Sequence, residues 1–240
     1  MTPDVLVPLA VTVGVAAFVQ GTSGLGFALV VAPVAGLLAP GLLPVFLLAA
    51  MIPLNLYVAW RERAAADLRG AGWITAARLA ATPLGLVLLQ AVPADRLGLL
   101  VGAATVLAAL VSLAAPAFTP GRGAWLAAGA VTGVTETATG VGGPPLALVH
   151  QHRPPPELRS TVALCFLAGE LASLALLFAT GRGRASALWA ALLVLPALAA
   201  GAWLSRLVHR RVDARRMRIM VLAFALISGA VLIVGALPGV

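Results

Sequence analysis

Glycine interrupts two long apolar runs of this chain at related spacing. The first interruption reads Gly21-Thr22-Ser23-Gly24-Leu25-Gly26, and the second Thr139-Gly140-Val141-Gly142-Gly143-Pro144-Pro145. Each lies in a hydrophobic segment long enough to reach deep into a bilayer. Glycine at that depth leaves backbone amides without helical partners, and lipid cannot satisfy them. Such breaks survive only where they are buried in protein or face a water-filled cavity. Two of them, in two halves of one chain, are the pattern of a duplicated membrane fold with a central polar site.

Composition excludes the main alternatives. Of 240 residues, 61% are hydrophobic and 10% charged, whereas a soluble domain carries about a quarter charged residues. The net charge of +8 comes from arginine alone, since the chain has no lysine. On a soluble protein that excess suggests nucleic acid. Here the arginines sit in short loops between apolar runs, where membrane orientation and anionic headgroups account for them. The single cysteine, Cys165, leaves no internal disulfide and no Cys-x-x-Cys pair, and reads as a small apolar helix residue. The N-terminus lacks the basic segment of a cleaved signal peptide, so residues 5 onward read as retained membrane structure.

The apolar runs fall at 5–39, 42–60, 71–92, 97–116, 124–150, 160–180, 186–205 and 217–237. The halves, about 5–116 and 124–237, resemble each other at an offset of about 116 residues. Ser23-Gly24-Leu25-Gly26 aligns with Thr139-Gly140-Val141-Gly142, and Pro83-Leu84-Gly85 falls opposite Ala199-Ala200-Gly201. Arginine placement tests the topology. If every run crossed once, the basic loop at Arg61, Arg63 and Arg69 would lie opposite the one at Arg206, Arg210, Arg211, Arg215, Arg216 and Arg218. That violates the positive-inside tendency. If the broken segments are re-entrant hairpins and the N-terminus is outside, both loops become cytoplasmic and Arg122, Arg153 and Arg159 join them. A hairpin in the second segment alone gives the same loop count; the repeat is the reason for assigning both. The expected fold is thus an all-α integral membrane protein spanning 1–240 as a single domain. It is an inverted repeat, each half a glycine-broken segment plus three crossings.

The breaks carry the candidate chemistry. Proline suits the first helical turn, where its missing N–H costs nothing, so a short helix is expected to begin near Pro144. Its free N–H groups and positive dipole end would face Gly140, Gly142 and Gly143, an arrangement suited to anions, with Thr135 and Thr139 adding hydroxyls. The first break offers Gln20, Thr22, Ser23, Gly24 and Gly26 before a second arm beginning near Phe27. Entering from opposite faces, the two apices would meet near the midplane and bind a small anion there. The bland reading of such glycines is close helix packing through small residues.

Ionisable residues inside apolar runs are few, and each is a functional candidate because a midplane charge is costly. Glu136 lies in the second break, as a proton carrier or an acceptor for loose amides. Glu170 lies in the middle of the 160–180 run, and the repeat sets Asn55 almost opposite it. Arg78 is expected to snorkel to the cytoplasmic headgroups, the other reading being attraction of the anion. His150 and His152 form a His-x-His, too few ligands for a metal, and read as a solvated loop. Trp60, Trp73, Trp125, Trp189 and Trp203 sit mostly near run ends, as interfacial anchors do. No cofactor or metal is expected.

At Ala17 to Phe27 with Pro33, and at Gly133 to Pro145, the chain resembles the sulfite exporter TauE/SafE family of membrane permeases. The three-crossing remainder of each half fits as well, so the likeness covers roughly 10–237. The resemblance implies a multi-pass permease of the cell membrane, in bacteria the inner membrane, that exports sulfite, organosulfonates or related sulfur-containing anions. In that family the first motif usually runs Gly-x-Gly-Gly-Gly; here Phe27 and Ala28 follow Gly26, which narrows the room for backbone approach. Alternating access of an anion between the two apices is the expected mechanism. An exported monoanion gains about 2.3 kcal/mol per 100 mV, so no ion gradient is required, and if one is used Glu136 and Glu170 are the carriers. Partners are the small anionic substrate and anionic headgroups at the arginine loops, without nucleic acid and with a homodimer as an open option. A membrane enzyme lacks a histidine or cysteine partner at depth. A cation or proton-coupled transporter and a non-transporting assembly partner are the other readings.

Overall fold

The computed structural model describes residues 1–114, 120–150, 153–208 and 214–236. His152, Arg210 and Arg211, and the side chain of Arg215, lie outside the described residues. Among the described residues every regular element is helical. The first half comprises α1 (Pro3–Ser23), α2 (Phe27–Leu38), α3 (Val45–Arg61), α4 (Leu68–Ala91) and α5 (Leu97–Ala114). The second comprises α6 (Arg122–Thr139), α7 (Gly143–His150), α8 (Pro155–Ala179), α9 (Ala185–Leu193), α10 (Leu195–Val208) and α11 (Ala214–Gly235).

Two apolar runs end in the middle for one local reason. Gly24 takes φ +85° and Gly140 φ +81°, a left-handed conformation that a Cβ disfavours. Each closes the preceding helix with an N–H bond to the carbonyl four residues back, Gly24 to Gln20 and Gly140 to Glu136, both at 2.7 Å. The chain restarts at Phe27 and Gly143, close to where the sequence places the second arms. A third run, 186–205, is not one straight rod: α9 and α10 meet at 47°. Pro196 lacks the N–H that would continue the helix across Val194. At the start of α4, Asp67 caps the helix, its Oδ1 accepting the N–H of Arg69 at 3.1 Å and of Gly70 at 2.9 Å. Asp67→Ala is expected to cost about 1 kcal/mol. In a thermal melt of the detergent-solubilised protein that is a fall of about 2–4 °C.

Among the described residues, five helical segments are long and apolar enough to cross a membrane, six with the α9–α10 pair counted as one span. They are α1, α4, α5 with its leading turn, α8 and α11. The 21 residues of α1 span about 31 Å, a full hydrocarbon thickness. By contrast α3, expected as a crossing, has 17 residues.

Contacts sort the helix ends into two layers. Arg61 and Arg159 donate to the carbonyls of Gly21 and Thr22, each at 3.4 Å. The Asp67 N–H donates to Thr161 Oγ1 at 2.9 Å, and the Arg122 guanidinium stacks 5.5 Å from the Trp73 ring. These contacts bring the ends of α1 and α3 together with the starts of α4, α6 and α8, all at an arginine-rich layer. At the other layer a cavity of about 410 Å³ is lined by Pro40, Val45, Val92, Leu97, Gly181 and Arg184, from the far ends of α2, α4 and α8 and the starts of α3, α5 and α9.

Side-by-side packing exchanges the two halves. α4 runs along α6, and α1 along α10. The backbones touch at glycine: a Cβ on Gly85 would meet the Val134 carbonyl, and one on Gly201 would overlap the Gly14 carbonyl. Small residues permit this approach between membrane helices. α3 packs on α8 and α5 on α11.

Candidate functional site

Each break is wired by its own side chains. In the first, Gln20 is 3% exposed and reaches forward over the gap. Its Oε1 accepts the Phe27 N–H at 3.1 Å, which satisfies the leading amide of α2. Its Nε2 then donates to Asn55 Oδ1 at 3.1 Å, and Asn55 Nδ2 donates to Glu170 Oε1 at 2.7 Å. Ser23 Oγ accepts the Leu25 N–H at 3.3 Å and lies 2.8 Å from the Val19 carbonyl. Thr22 Oγ1 donates to the Val19 carbonyl at 2.8 Å.

In the second break, Thr139 Oγ1 donates to the Thr135 carbonyl at 2.7 Å and accepts the Val141 N–H at 3.1 Å. Thr135 Oγ1 donates to the Val131 carbonyl at 3.0 Å, and Thr132 Oγ1 to the Gly142 carbonyl at 3.1 Å. The hydroxyls of Thr22, Ser23, Thr135 and Thr139 are therefore engaged by their own helices. Pro144 and Pro145 remove two donors from the first turn of α7, leaving Gly143 and Leu146 with N–H groups there.

Arg78 does not snorkel. It is fully buried, its Nη2 pairs with Glu136 Oε2, and its Nη1 donates to the Cys165 carbonyl. Its guanidinium carbon lies 5.3 Å from the centre of the Phe166 ring. The physical reason is a slot left by Gly169, where any Cβ would overlap the guanidinium. A buried carboxylate at the second break supplies a stronger partner than distant headgroups. Glu136 and Glu170 are also 0% exposed, so Arg78 stands among two carboxyls away from water. His150 is buried as well, its Nδ1 3.1 Å from the Leu146 carbonyl, rather than lying in a solvated loop.

A cavity of about 270 Å³ opens beside both breaks at the arginine-rich layer. Thr22, Ser23 and Gly26 line it from the first break, and Gly143 and Pro144 from the second. The breaks are neighbours here, since a Cβ on Gly143 would sit 3.4 Å from Leu25 Cδ2. Arg153, Arg159 and Arg218 line the same cavity, with no acidic residue among its described lining. Sequence reading missed these three as site residues because it assigned them to orientation. The available signal was that Arg153 and Arg159 follow the second break closely in the chain, around the start of the next helix. Gln20, Gly24, Thr135, Thr139, Gly140 and Gly142 do not line the cavity. Gly24 packs against Arg159 and Leu158, and Gly140 against Leu47.

The Arg159 guanidinium is held by Glu62, with Nε 2.9 Å from Oε2 and Nη2 2.8 Å from Oε1. Arg61 shares the same carboxylate at 2.9 Å. Arg218 donates to the Ser112 carbonyl. Arg159 and Arg218 are thus held in place, and Arg153 pairs with Glu157 at 3.5 Å.

Several membrane-length helices around two interrupted ones, with a polar centre sealed between them, make this a multi-pass membrane protein. The model of the family described as Sulfite exporter TauE/SafE matches residues 9–232, nearly the whole chain. The chain belongs to that family, whose members are membrane transporters of sulfur-containing anions. No curated protein and no solved structure matches it.

Proposed function

We propose that this protein exports a small sulfur-containing anion, sulfite or an organosulfonate, by alternating access. The observation that carries the reading is the cavity beside both breaks, with three arginines and no acid in its described lining. A monoanion entering it meets an attractive field and then the positive ends of α2 and α7. In this reading Thr22, Ser23, Gly26 and Gly143 contact the solute directly. Gln20, Gly24, Thr135, Thr139, Gly140 and Gly142 shape and stiffen the two breaks around it. The arginine-rich layer is cytoplasmic in the cell membrane, and the cavity near Arg184 is the exit on the far side.

We infer further that the chain is one membrane domain made of two inverted repeats. Support comes from chain direction. α1 ends at the arginine-rich layer, while its counterpart α6 begins there. α2 and α7 then return toward the layers from which α1 and α6 entered, as hairpins would. A cation carrier would need Glu136 and Glu170 as ligands, and Arg78 already pairs with Glu136.

The test is flux. Proteoliposomes carrying the full chain and loaded with radiolabelled sulfite are expected to release it saturably, with unlabelled taurine or methanesulfonate competing. Release no faster than from empty liposomes, or release of a cation instead, would end the reading.

A further inference from the structure

We infer that Glu170 takes up one proton when the anion binds, so that the exported species is an anion together with a proton. This rests on the anion-transport reading and adds the coupling ion to it.

The argument is a count of charge and of partners. Three ionisable groups share the sealed centre: Arg78, Glu136 and Glu170, each 0% exposed. One guanidinium balances one carboxylate. Its Nη2 pairs with Glu136 and its Nη1 donates to the Cys165 carbonyl, while Arg78 Nε and Glu136 Oε1 have no hydrogen-bond partner among the described residues. Among the described residues Glu170 receives only a neutral donor, Asn55 Nδ2, and its Oε2 has no hydrogen-bond partner. The groups facing it are Asn55 from α3, Arg78 from α4 and Glu136 from α6. With both carboxyls ionised the centre carries an uncompensated negative charge. A proton on Oε2 makes it neutral.

That excess charge lies against the substrate path. Glu136 abuts the second break, where a Cβ on Gly142 would come to 2.9 Å from its Oε2. Glu170 is tied to the first break by a directional ladder. The Phe27 N–H donates to Gln20, Gln20 to Asn55, and Asn55 to Glu170. A negative centre bonded to both breaks opposes an anion between them, and neutralising it removes the opposition. Anion and proton therefore bind together, each raising the affinity of the other by the same factor. The proton comes from water on the loading side, forms the O–H bond at Glu170 Oε2, and leaves on the far side after the anion does.

The test uses methanesulfonate, a permanently charged anion, because sulfite itself titrates near neutrality. Vesicles containing the full chain are held at zero potential, with an alkaline interior and labelled methanesulfonate outside. One proton per anion predicts accumulation of about tenfold per unit of pH difference. Glu170→Gln keeps an acceptor for Asn55, and is expected to exchange labelled for unlabelled methanesulfonate without accumulating it. Wild-type protein that exchanges but does not accumulate, accumulation driven by sodium instead, or unchanged accumulation in Glu170→Gln would each overturn the proposal. A readout free of substrate stands beside it. On acidifying the solubilised protein, infrared difference spectra are expected to show a protonated-carboxyl band that Glu170→Gln lacks. A spectrum without that band overturns the proton site even if the vesicles transport anion. No labelled exchange by wild-type protein overturns the anion reading and the coupling with it.

Discussion

Arg78→Leu is expected to remove most of the folded protein from the membrane. Its guanidinium is the only cation within reach of two buried carboxyls among the described residues. Deleting one partner of a buried pair leaves the other charged and unsolvated, at a cost of about 3–5 kcal/mol. That is a large share of the stability of an ordinary domain. The variant is expected to be degraded in cells and to melt well below wild type in detergent. Gly169→Ala should be a milder version of the same lesion, because the new methyl would push the guanidinium out of its slot. The decisive comparison is Arg78→Leu with Glu136→Leu added. If the damage comes from an unpaired charge, the double variant regains most of the lost melting temperature while still failing to transport. A double variant no more stable than the single would show that packing around Phe166, not charge, holds this centre together.

Gly140→Leu and Gly142→Leu are expected to abolish flux while leaving protein in the membrane. Gly140 sits at φ +81°, and a Cβ there would lie 2.5 Å from Leu47 Cδ1. Left-handed strain of about 1–2 kcal/mol adds to overpacking. A Cβ on Gly142 would crowd Glu136 Cβ at 2.8 Å and Thr132 Cγ2 at 2.9 Å. Neither position lines the cavity, so the loss would act through the shape of the break. Gly72→Leu is the control: it lies in α4 with nothing within 4 Å of the added atom, and should transport normally. Normal flux in Gly140→Leu or Gly142→Leu would mean that the second break is ordinary helix packing with no part in transport.

Local features were legible before the fold was. Glycine and proline punctuation put the second arms at Phe27 and near Pro144, and helices start at Phe27 and Gly143. The conformation responsible is a property of single residues, so one chain suffices to read it. Gly85 and Gly201, set opposite each other by the offset, both lie at close backbone contacts. Pairing across the fold was not legible in the same way. Arg78 and Glu136 are 58 residues apart and on different helices, and nothing near Arg78 in sequence announces an acid. Headgroups therefore looked like its nearest partner. The hydroxyls of Thr22 and Thr139 were read as donors to a ligand. Whether a hydroxyl turns to solute or to the carbonyl of the previous turn depends on a rotamer. The bend at Val194 was missed because a single proline near a helix start commonly leaves no mark.

The glycine seams join α1 to α10 and α4 to α6, so each interrupted helix leans on a strut far from it in the chain. Neither 1–114 nor 120–236 includes the support for its own interrupted helix. A polypeptide comprising either segment alone would leave a helix face open along its whole length. On the proposed inverted repeat, an unduplicated ancestor could have closed that face only with a second copy lying upside down in the same bilayer.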